Sequence, residues 1–157
     1  MLHRSLLLCC TCLLAPAAGS AQAADPRAEV TAVITRLIDG MRESDSTKVR
    51  SAFHAAARLG SALMRDGVPS YRPDGVDGFV RAVGTPKEIM WDERIRHLRL
   101  EVDGPLATAW MEYRFYAGER FSHCGVNAMQ LVRGADGWQI ASLIDTRRQP
   151  AECEPWP

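Results

Sequence analysis

The sequence predicts an α+β domain in which N-terminal helices pack on a strongly curved, mostly antiparallel sheet. Three observations support this fold class. Apolar residues recur at helical spacing soon after residue 24, turn signals then separate a series of strand-like segments, and the last two segments form a long hairpin around residues 134–137. Helices that precede a run of strands favour two separate layers over alternating βαβ units.

The first helix is predicted from an apolar stripe with steps of three and four residues. The stripe consists of Val30, Val33, Ile34, Leu37, Ile38 and Met41. Pro26 suits a first helical turn. A shorter second helix is expected to begin at Asp45 or Ser46, to run through Phe53 and to end at His54. Together the two helices would form a helical hairpin.

The segments that follow read as strands with one helical interruption. Residues 59–71 form a strand pair around Arg65-Asp66-Gly67. A third helix, with Val76 and Val83 on its apolar face, is closed by Gly84. Strands are then expected over residues 89–102 and 106–117, followed by the hairpin of residues 121–148. This order gives a long antiparallel meander at the C-terminal end of the domain.

The hairpin has two faces, because successive strand side chains point to opposite sides of a sheet. One face of its first strand carries Phe121, His123, Gly125, Asn127, Met129 and Leu131. In its second strand, Trp138 and Ile140 favour the core face. Leu143 beside Ile144 breaks the alternation, and a β-bulge there would carry Asp145 onto the inner face.

The central strand supplies the neighbouring part of the inner face. Its inward residues are Ala107, Ala109, Met111, Tyr113 and Phe115. In the preceding strand His97 alternates with Leu98 and Leu100, so His97 is placed on the outer face. That face would then hold a modest apolar patch, suited to pairing with another protein. The patch consists of Ile95, Val126, Ala128, Val132 and Leu143.

Residues 1–23 have the pattern of a signal peptide, with a basic start, a short apolar run and small residues before Ala24. The run is shorter than the roughly 18 to 20 residues of a spanning helix, and Pro16 interrupts it. A lipoprotein signal is a weaker alternative. We therefore expect a periplasmic or secreted protein with cleavage near Ala23, a domain over residues 24–148 and a tail over 149–157. Removal of the leader leaves Cys124 and Cys153, which favours a disulfide over two free thiols.

Composition and missing motifs exclude several functions. The 157 residues balance 19 basic against 19 acidic side chains, which gives no electrostatic reason to expect a nucleic-acid partner. The sequence contains no phosphate-binding glycine loop and no Gly-x-Ser-x-Gly elbow. It also has no metal-ligand spacing. We expect no cofactor, no metal and, after processing, no membrane span.

The order of these elements resembles the nuclear transport factor 2-like superfamily, which includes ketosteroid isomerase-like and polyketide cyclase-like proteins. The last-strand sequence Asp136-Gly-Trp-Gln-Ile140 carries much of the resemblance. The runs Cys124-Gly-Val-Asn127 and Asp145-Thr-Arg-Arg148 resemble the exported branch described as putative lumazine-binding. The resemblance implies a cone-shaped α+β barrel that encloses a pocket, and homodimers formed through the outer face of the sheet. Its catalytic members place an Asp or His inside the cone.

The inner face therefore supplies the candidate site, an apolar pocket with a few polar groups. Candidate ligand-binding residues are Met111, Tyr113, Phe115, His123, Asn127 and Met129. Candidate catalytic residues are His123 or Asp145 as base and Tyr113 as oxyanion donor. A tyrosine and a histidine at strand ends are more often core or rim residues, and this is the preferred interpretation of Tyr113 and His123. For Asp145, a surface ion-pair cluster with Arg147 and Arg148 is the preferred interpretation.

Two functions remain open from the sequence. The preferred hypothesis is a binding protein for a small apolar or aromatic molecule, because local spacing forces no acid and base together. The alternative is a small isomerase, dehydratase or cyclase. An enzyme would need His123 or Asp145 within about 3 Å of a partner inside the cavity.

Overall fold

The computed structural model describes residues 25–156, so the predicted signal peptide lies outside the described residues. Three helices pack on a six-stranded mixed sheet that does not close. The elements are α1 (Pro26–Glu43), α2 (Ser46–Ala52), β1 (Phe53–Arg65), β2 (Val68–Asp74), α3 (Val76–Gly84), β3 (Trp91–Asp103), β4 (Leu106–Ala117), β5 (Arg120–Gly134) and β6 (Gly137–Thr146). The α+β class is confirmed. A short 3₁₀ helix, Pro150–Glu152, lies in the tail.

The helical hairpin forms as its end signals predict. The Asp25 carboxylate accepts from Arg27 N at 2.9 Å and caps α1, whose apolar stripe is buried. The Asp45 carboxylate caps α2 by accepting from Lys48 N at 2.9 Å. At Gly40 a Cβ would lie 2.7 Å from Val49 Cγ2, so the absence of a side chain lets the two helices approach closely.

The second helix ends at Ala52, two residues earlier than predicted, and the assignment of His54 to its end is wrong. Phe53 already belongs to β1, where it pairs with Ile140 of β6 in parallel. Its ring is 3% exposed and packs edge-on against Phe79 of α3, with centroids 6.3 Å apart. His54 is an exposed strand residue whose Nδ1 accepts from Ala56 N at 3.1 Å.

The sheet order is β2-β1-β6-β5-β4-β3, and only the β1–β6 pair is parallel among the described strands. The last strand therefore lies in the middle of the sheet. The hydrophobic core lies between α1 and the inner face, and it includes Met111 and Met129. Within residues 25–156, no helix combines the length and the apolar character needed to cross a bilayer.

Of the four register shifts in the sheet over residues 25–156, three decide which side chains of β3 to β6 face inward. The β5–β6 shift between Gln130 and Leu131 turns Leu143 and Asp145 inward, as the sequence suggested. The β3–β4 shift between Arg96 and Arg99 surrounds His97, whose φ is 53°. It places Trp91, Glu93 and Ile95 on the same side as Leu98, Leu100 and Val102. The third shift, in the β4–β5 pair, lies between Phe115 and Tyr116. It pairs Phe121 with Tyr116, so Phe121 points away from the cavity that is described below.

These shifts correct the predicted outer patch. Leu143 is 9% exposed and lines the cavity, and Ile95 packs against the core, so neither belongs to the outer face. The tail covers part of that face instead. A disulfide joins Cys124 to Cys153, as predicted. Trp156 lies under the guanidinium groups of Arg96 and Arg114, with centroid distances of 4.6 Å and 5.3 Å.

Candidate functional site

A cavity of about 650 Å³ lies between the inner face of the sheet and the helices α1 and α3. This volume is in the range of small-molecule sites. Leu37 and Met41 of α1 and Phe79 of α3 form one wall. Trp91 of β3 and Phe115 of β4 form part of the opposite wall. The surroundings are mostly apolar, and two clusters of hydrogen-bonded polar side chains lie among them.

An aromatic wall is built on β3, β4 and β5. The rings of Phe115 and His123 stack with centroids 4.9 Å apart and an interplanar angle of 24°. Trp91 meets Phe115 edge-on at 5.9 Å, and Tyr113 meets His123 edge-on at 5.7 Å. Burial and the charge of Arg147 lower the pKa of His123, although Asp145 opposes them. The imidazole is therefore neutral at neutral pH and acts as part of a flat, uncharged surface.

The first polar cluster joins Tyr113, Asp145 and Arg147. The Tyr113 hydroxyl lies 2.9 Å from the Thr146 carbonyl oxygen and 3.1 Å from Asp145 Oδ2, so its one proton serves either acceptor. Asp145 Oδ2 also accepts from Arg147 Nε at 2.8 Å. Burial, with the charges of Asp145 and Glu93, raises the pKa of Tyr113. Tyr113 therefore stays a protonated phenol, and the hydrogen bonding of its hydroxyl to Thr146 or Asp145 holds its ring in place in the cavity lining.

A glycine makes this cluster possible. Gly125 is the cross-strand partner of Tyr113, and a Cβ built on it would lie 1.8 Å from the Thr146 carbonyl oxygen and 2.7 Å from Tyr113 Cε1. Because real Cβ atoms do not approach that closely, only glycine lets the end of β6 and the tyrosine ring meet here.

The second polar cluster is the pair of Glu93 and Asn127. Asn127 Nδ2 donates to Glu93 Oε1 at 2.8 Å. Burial raises the pKa of Glu93 to about 7; the bond from Asn127 and the charge of Arg147 oppose the rise, and Asp145 adds to it. Glu93 is thus divided between its two protonation states near neutral pH, unlike an ordinary surface carboxylate.

Comparison with known proteins identifies the family of this chain. A family profile described as "Putative lumazine-binding" matches residues 25–144. The chain belongs to this family. No curated protein matches the sequence.

Several solved structures share the fold. An NTF2-like protein of unknown function from Shewanella baltica is 17% identical, with 78% of this chain and 93% of that chain covered and a TM-score of 0.58. An NTF2-like protein with a cystatin-like fold from Novosphingobium aromaticivorans is 12% identical, with coverage of 81% and 84% and a TM-score of 0.62. A "putative dehydratase from the NTF2-like family" of Streptomyces avermitilis is 14% identical, with coverage of 78% and 96% and a TM-score of 0.58. At these identities the likeness shows the NTF2-like fold alone.

In this member of the lumazine-binding-like family, the cavity brings together most of the candidate residues. Tyr113, Phe115, His123, Asn127 and Asp145 all line it. The structure places the other two candidates elsewhere. Met111 and Met129, which are 0% and 3% exposed, lie in the core that α1 forms with the sheet, away from the cavity lining.

The preferred surface interpretation of Asp145 is also wrong. Its pairing with Arg147 occurs as predicted, but Asp145 is 7% exposed because the β6 bulge turns it inward. Arg148 is not part of this pair; its backbone forms an isolated bridge with Cys124.

Sequence reasoning missed Glu93, the cavity carboxyl whose pKa burial raises to about 7. Ser61 and Asp74, from β1 and β2, also line the cavity and were not proposed. Glu93 shares a face with Trp91 and Ile95 at a spacing of two residues, but the sequence analysis placed Ile95 on the outer face. Among the described residues, no group of three or more His, Cys, Asp or Glu side chains could hold a metal ion.

Proposed function

We propose that the protein binds a small planar aromatic molecule in the cavity. The observation that carries this proposal is the stacked Phe115–His123 pair, flanked by Trp91 in a cavity whose walls are mostly apolar. Flat, uncharged rings attract the face of another aromatic ring through dispersion and offset stacking. The description of the family supports the same class of ligand, since lumazine is a flat, fused nitrogen heterocycle.

The polar clusters complete the picture of a binding site. A typical small-molecule pocket combines apolar walls with a few polar groups that fix the ligand's orientation. Here the walls supply contact area, and Glu93 with Asn127 supplies hydrogen-bonding atoms at one end. We infer that the ligand's ring lies against the aromatic wall and that its polar edge meets this pair.

The test is a binding titration of the purified protein with two pteridines, lumazine and 2,4-diaminopteridine, followed by ligand fluorescence. Replacement of Phe115 by Leu removes the stacked ring and should weaken binding of both compounds by about fivefold to tenfold. The matched control is Tyr116→Leu, because Tyr116 is the next residue on β4 and lies outside the cavity lining. Binding of neither pteridine, or equal losses in the two variants, would contradict the proposal.

Native mass spectrometry gives an independent test without a chosen ligand. We expect protein isolated under gentle conditions to carry a small aromatic compound, and the Phe115→Leu variant to carry less of it. Protein that retains only aliphatic compounds would argue against an aromatic ligand.

A second candidate is an isomerase, dehydratase or cyclase with acid–base chemistry in the same cavity. Asp145 lies 3.1 Å from the Tyr113 oxygen and 2.8 Å from Arg147 Nε inside the cavity, and the pKa of Glu93 is about 7. These are properties of groups that move protons. One observation argues against catalysis. His123 Nδ1 lies 3.1 Å from the Ser122 hydroxyl, and not beside a carboxylate that would orient the imidazole as a base.

The two functions differ in what happens to a bound compound. An acid–base enzyme should exchange a carbon-bound hydrogen of its substrate for deuterium in heavy water, and Asp145→Asn or Glu93→Gln should slow that exchange. A binding protein should release the compound with its carbon-bound hydrogens unchanged. Mass spectrometry of the released compound distinguishes the two.

We further propose export and dimerisation. A disulfide between Cys124 and Cys153 fits an oxidising compartment, and export predicts that protein from a periplasmic fraction begins near Ala24. Intact Met1 on the soluble protein would contradict export. A homodimer through the outer face of the sheet would have to accommodate the tail that carries Trp156, and native mass spectrometry measures its mass directly.

A further inference from the structure

The Glu93–Asn127 pair leaves two hydrogen-bond acceptors facing the cavity. Asn127 Nδ2 is used by Glu93 Oε1, which fixes the orientation of the amide and leaves Asn127 Oδ1 and Glu93 Oε2 without a protein partner among the described residues. Both side chains line the cavity. Neither atom is sealed in the interior, because the fully buried side-chain polar atom without a partner in residues 25–156 is Arg114 Nε.

Among the described residues, no other polar group of the cavity donates a hydrogen bond to these two atoms. The Tyr113 hydroxyl proton is taken by the Thr146 carbonyl or by Asp145. Arg147 is the one guanidinium in the lining; its Nε donates to Asp145, and its Nη groups keep their N–H donors but form no hydrogen bond with Glu93 or Asn127. Three carboxyl side chains line the same cavity, those of Asp74, Glu93 and Asp145. When Glu93 is ionised, the donors for these two acceptors must therefore come from the ligand.

We propose that the Glu93–Asn127 pair selects ring-bound amino groups, so that the preferred ligands are amino-substituted nitrogen heterocycles and not their oxo counterparts. This inference rests on the proposed binding function. An amino group carries two N–H bonds and can donate one to each of two neighbouring acceptors. A carbonyl oxygen at the same position would face two acceptors and would lose its bonds to water without replacement.

The two pteridines proposed above share one ring system and differ in their exocyclic groups: lumazine carries two oxo groups, with N–H groups in the ring, where 2,4-diaminopteridine carries two amino groups and unprotonated ring nitrogens. Measured slightly above pH 7, where ionised Glu93 predominates, the diamino compound should bind the wild-type protein at least about tenfold more tightly. In the Glu93→Gln variant an N–H donor replaces one carboxylate oxygen. The preference should fall to within about threefold, or reverse, as carbonyl binding improves.

The matched control is Glu119→Gln, which makes the same change at an exposed position between β4 and β5 and should keep the wild-type preference. Retained lumazine binding in Glu93→Gln shows that this variant is folded. Equal or tighter binding of lumazine by the wild type would overturn amino selection and leave aromatic binding intact. An unchanged preference in Glu93→Gln would overturn the role of Glu93. Binding of neither pteridine would instead contradict the proposed function itself.

Discussion

The buried carboxyl of Glu93 gives a quantitative prediction for stability. Its pKa of about 7 in the folded protein compares with 4.5 for an ordinary glutamate. Because the folded protein holds this proton more tightly than the unfolded chain, ionisation of Glu93 opposes folding. The cost is absent below about pH 4.5 and complete above about pH 7. At 1.36 kcal/mol per pKa unit it amounts to about 3 kcal/mol.

Replacement of Glu93 by Gln removes this cost and keeps an oxygen that can accept from Asn127. We therefore expect the unfolding free energy of Glu93→Gln, minus that of wild type, to increase by about 2 to 3 kcal/mol as the pH is raised from 5 to 8. Other titrating groups are shared by the two proteins and cancel in the comparison.

Urea unfolding of the ligand-free proteins at the two pH values measures this difference. Glu119→Gln is the control, and it should differ from wild type by about 0.5 kcal/mol or less at both values because the side chain is exposed. A difference between Glu93→Gln and wild type that does not change with pH would refute the reasoning. So would a wild type that gains stability over the variant as pH rises.

Three further predictions concern residues that hold the site in place, and urea unfolding measures the change in unfolding free energy for each. Gly125→Ala places a Cβ against a backbone carbonyl and should cost more than about 4 kcal/mol, whereas Gly134→Ala, with open space around it, should cost less than about 1 kcal/mol. Replacing Cys124 and Cys153 by Ser opens a disulfide across 29 residues and should cost about 3 to 4 kcal/mol. Asp145→Asn weakens an ion pair with a half-exposed arginine and should cost about 1 to 3 kcal/mol.

The fold could be predicted from the sequence because its signals are local. The apolar stripe of α1, the turns at Gly67 and Gly137, and the closure of α3 at Gly84 each depend on neighbouring residues. The β6 bulge was also indicated, because adjacent Leu143 and Ile144 break the alternation that Trp138 and Ile140 begin; the structure places the bulge between Ile140 and Ser142, with Leu143 inward and Ile144 exposed. The bulge gave the inner face as one of two positions for Asp145, although the surface position was the preferred interpretation.

The β3 bulge had no comparable signal. In a regular strand, inward Leu98 and Leu100 would put Glu93 and Ile95 on the outer face, where Ile95 was in fact predicted. The left-handed backbone of His97 reverses that assignment and turns Glu93 into the cavity. Non-glycine residues adopt such a conformation rarely, so its position is difficult to predict from residue type.

The acid–base character of the site could not be predicted even with correct facing, because it arises between distant strands. Glu93 lies on β3, while its hydrogen-bond donor Asn127 comes from β5 and the charges of Asp145 and Arg147 come from the end of β6. Each of these residues alone is compatible with an ordinary ion pair or a solvated surface. Only the curvature of the sheet and the cover of α1 and α3 bring them to one enclosed end, where burial outweighs the bond from Asn127 and raises the pKa of Glu93. For the same reason, the ligand preference should depend more on Glu93 and Asn127 than on His123, whose neutral ring contributes contact area and no charge.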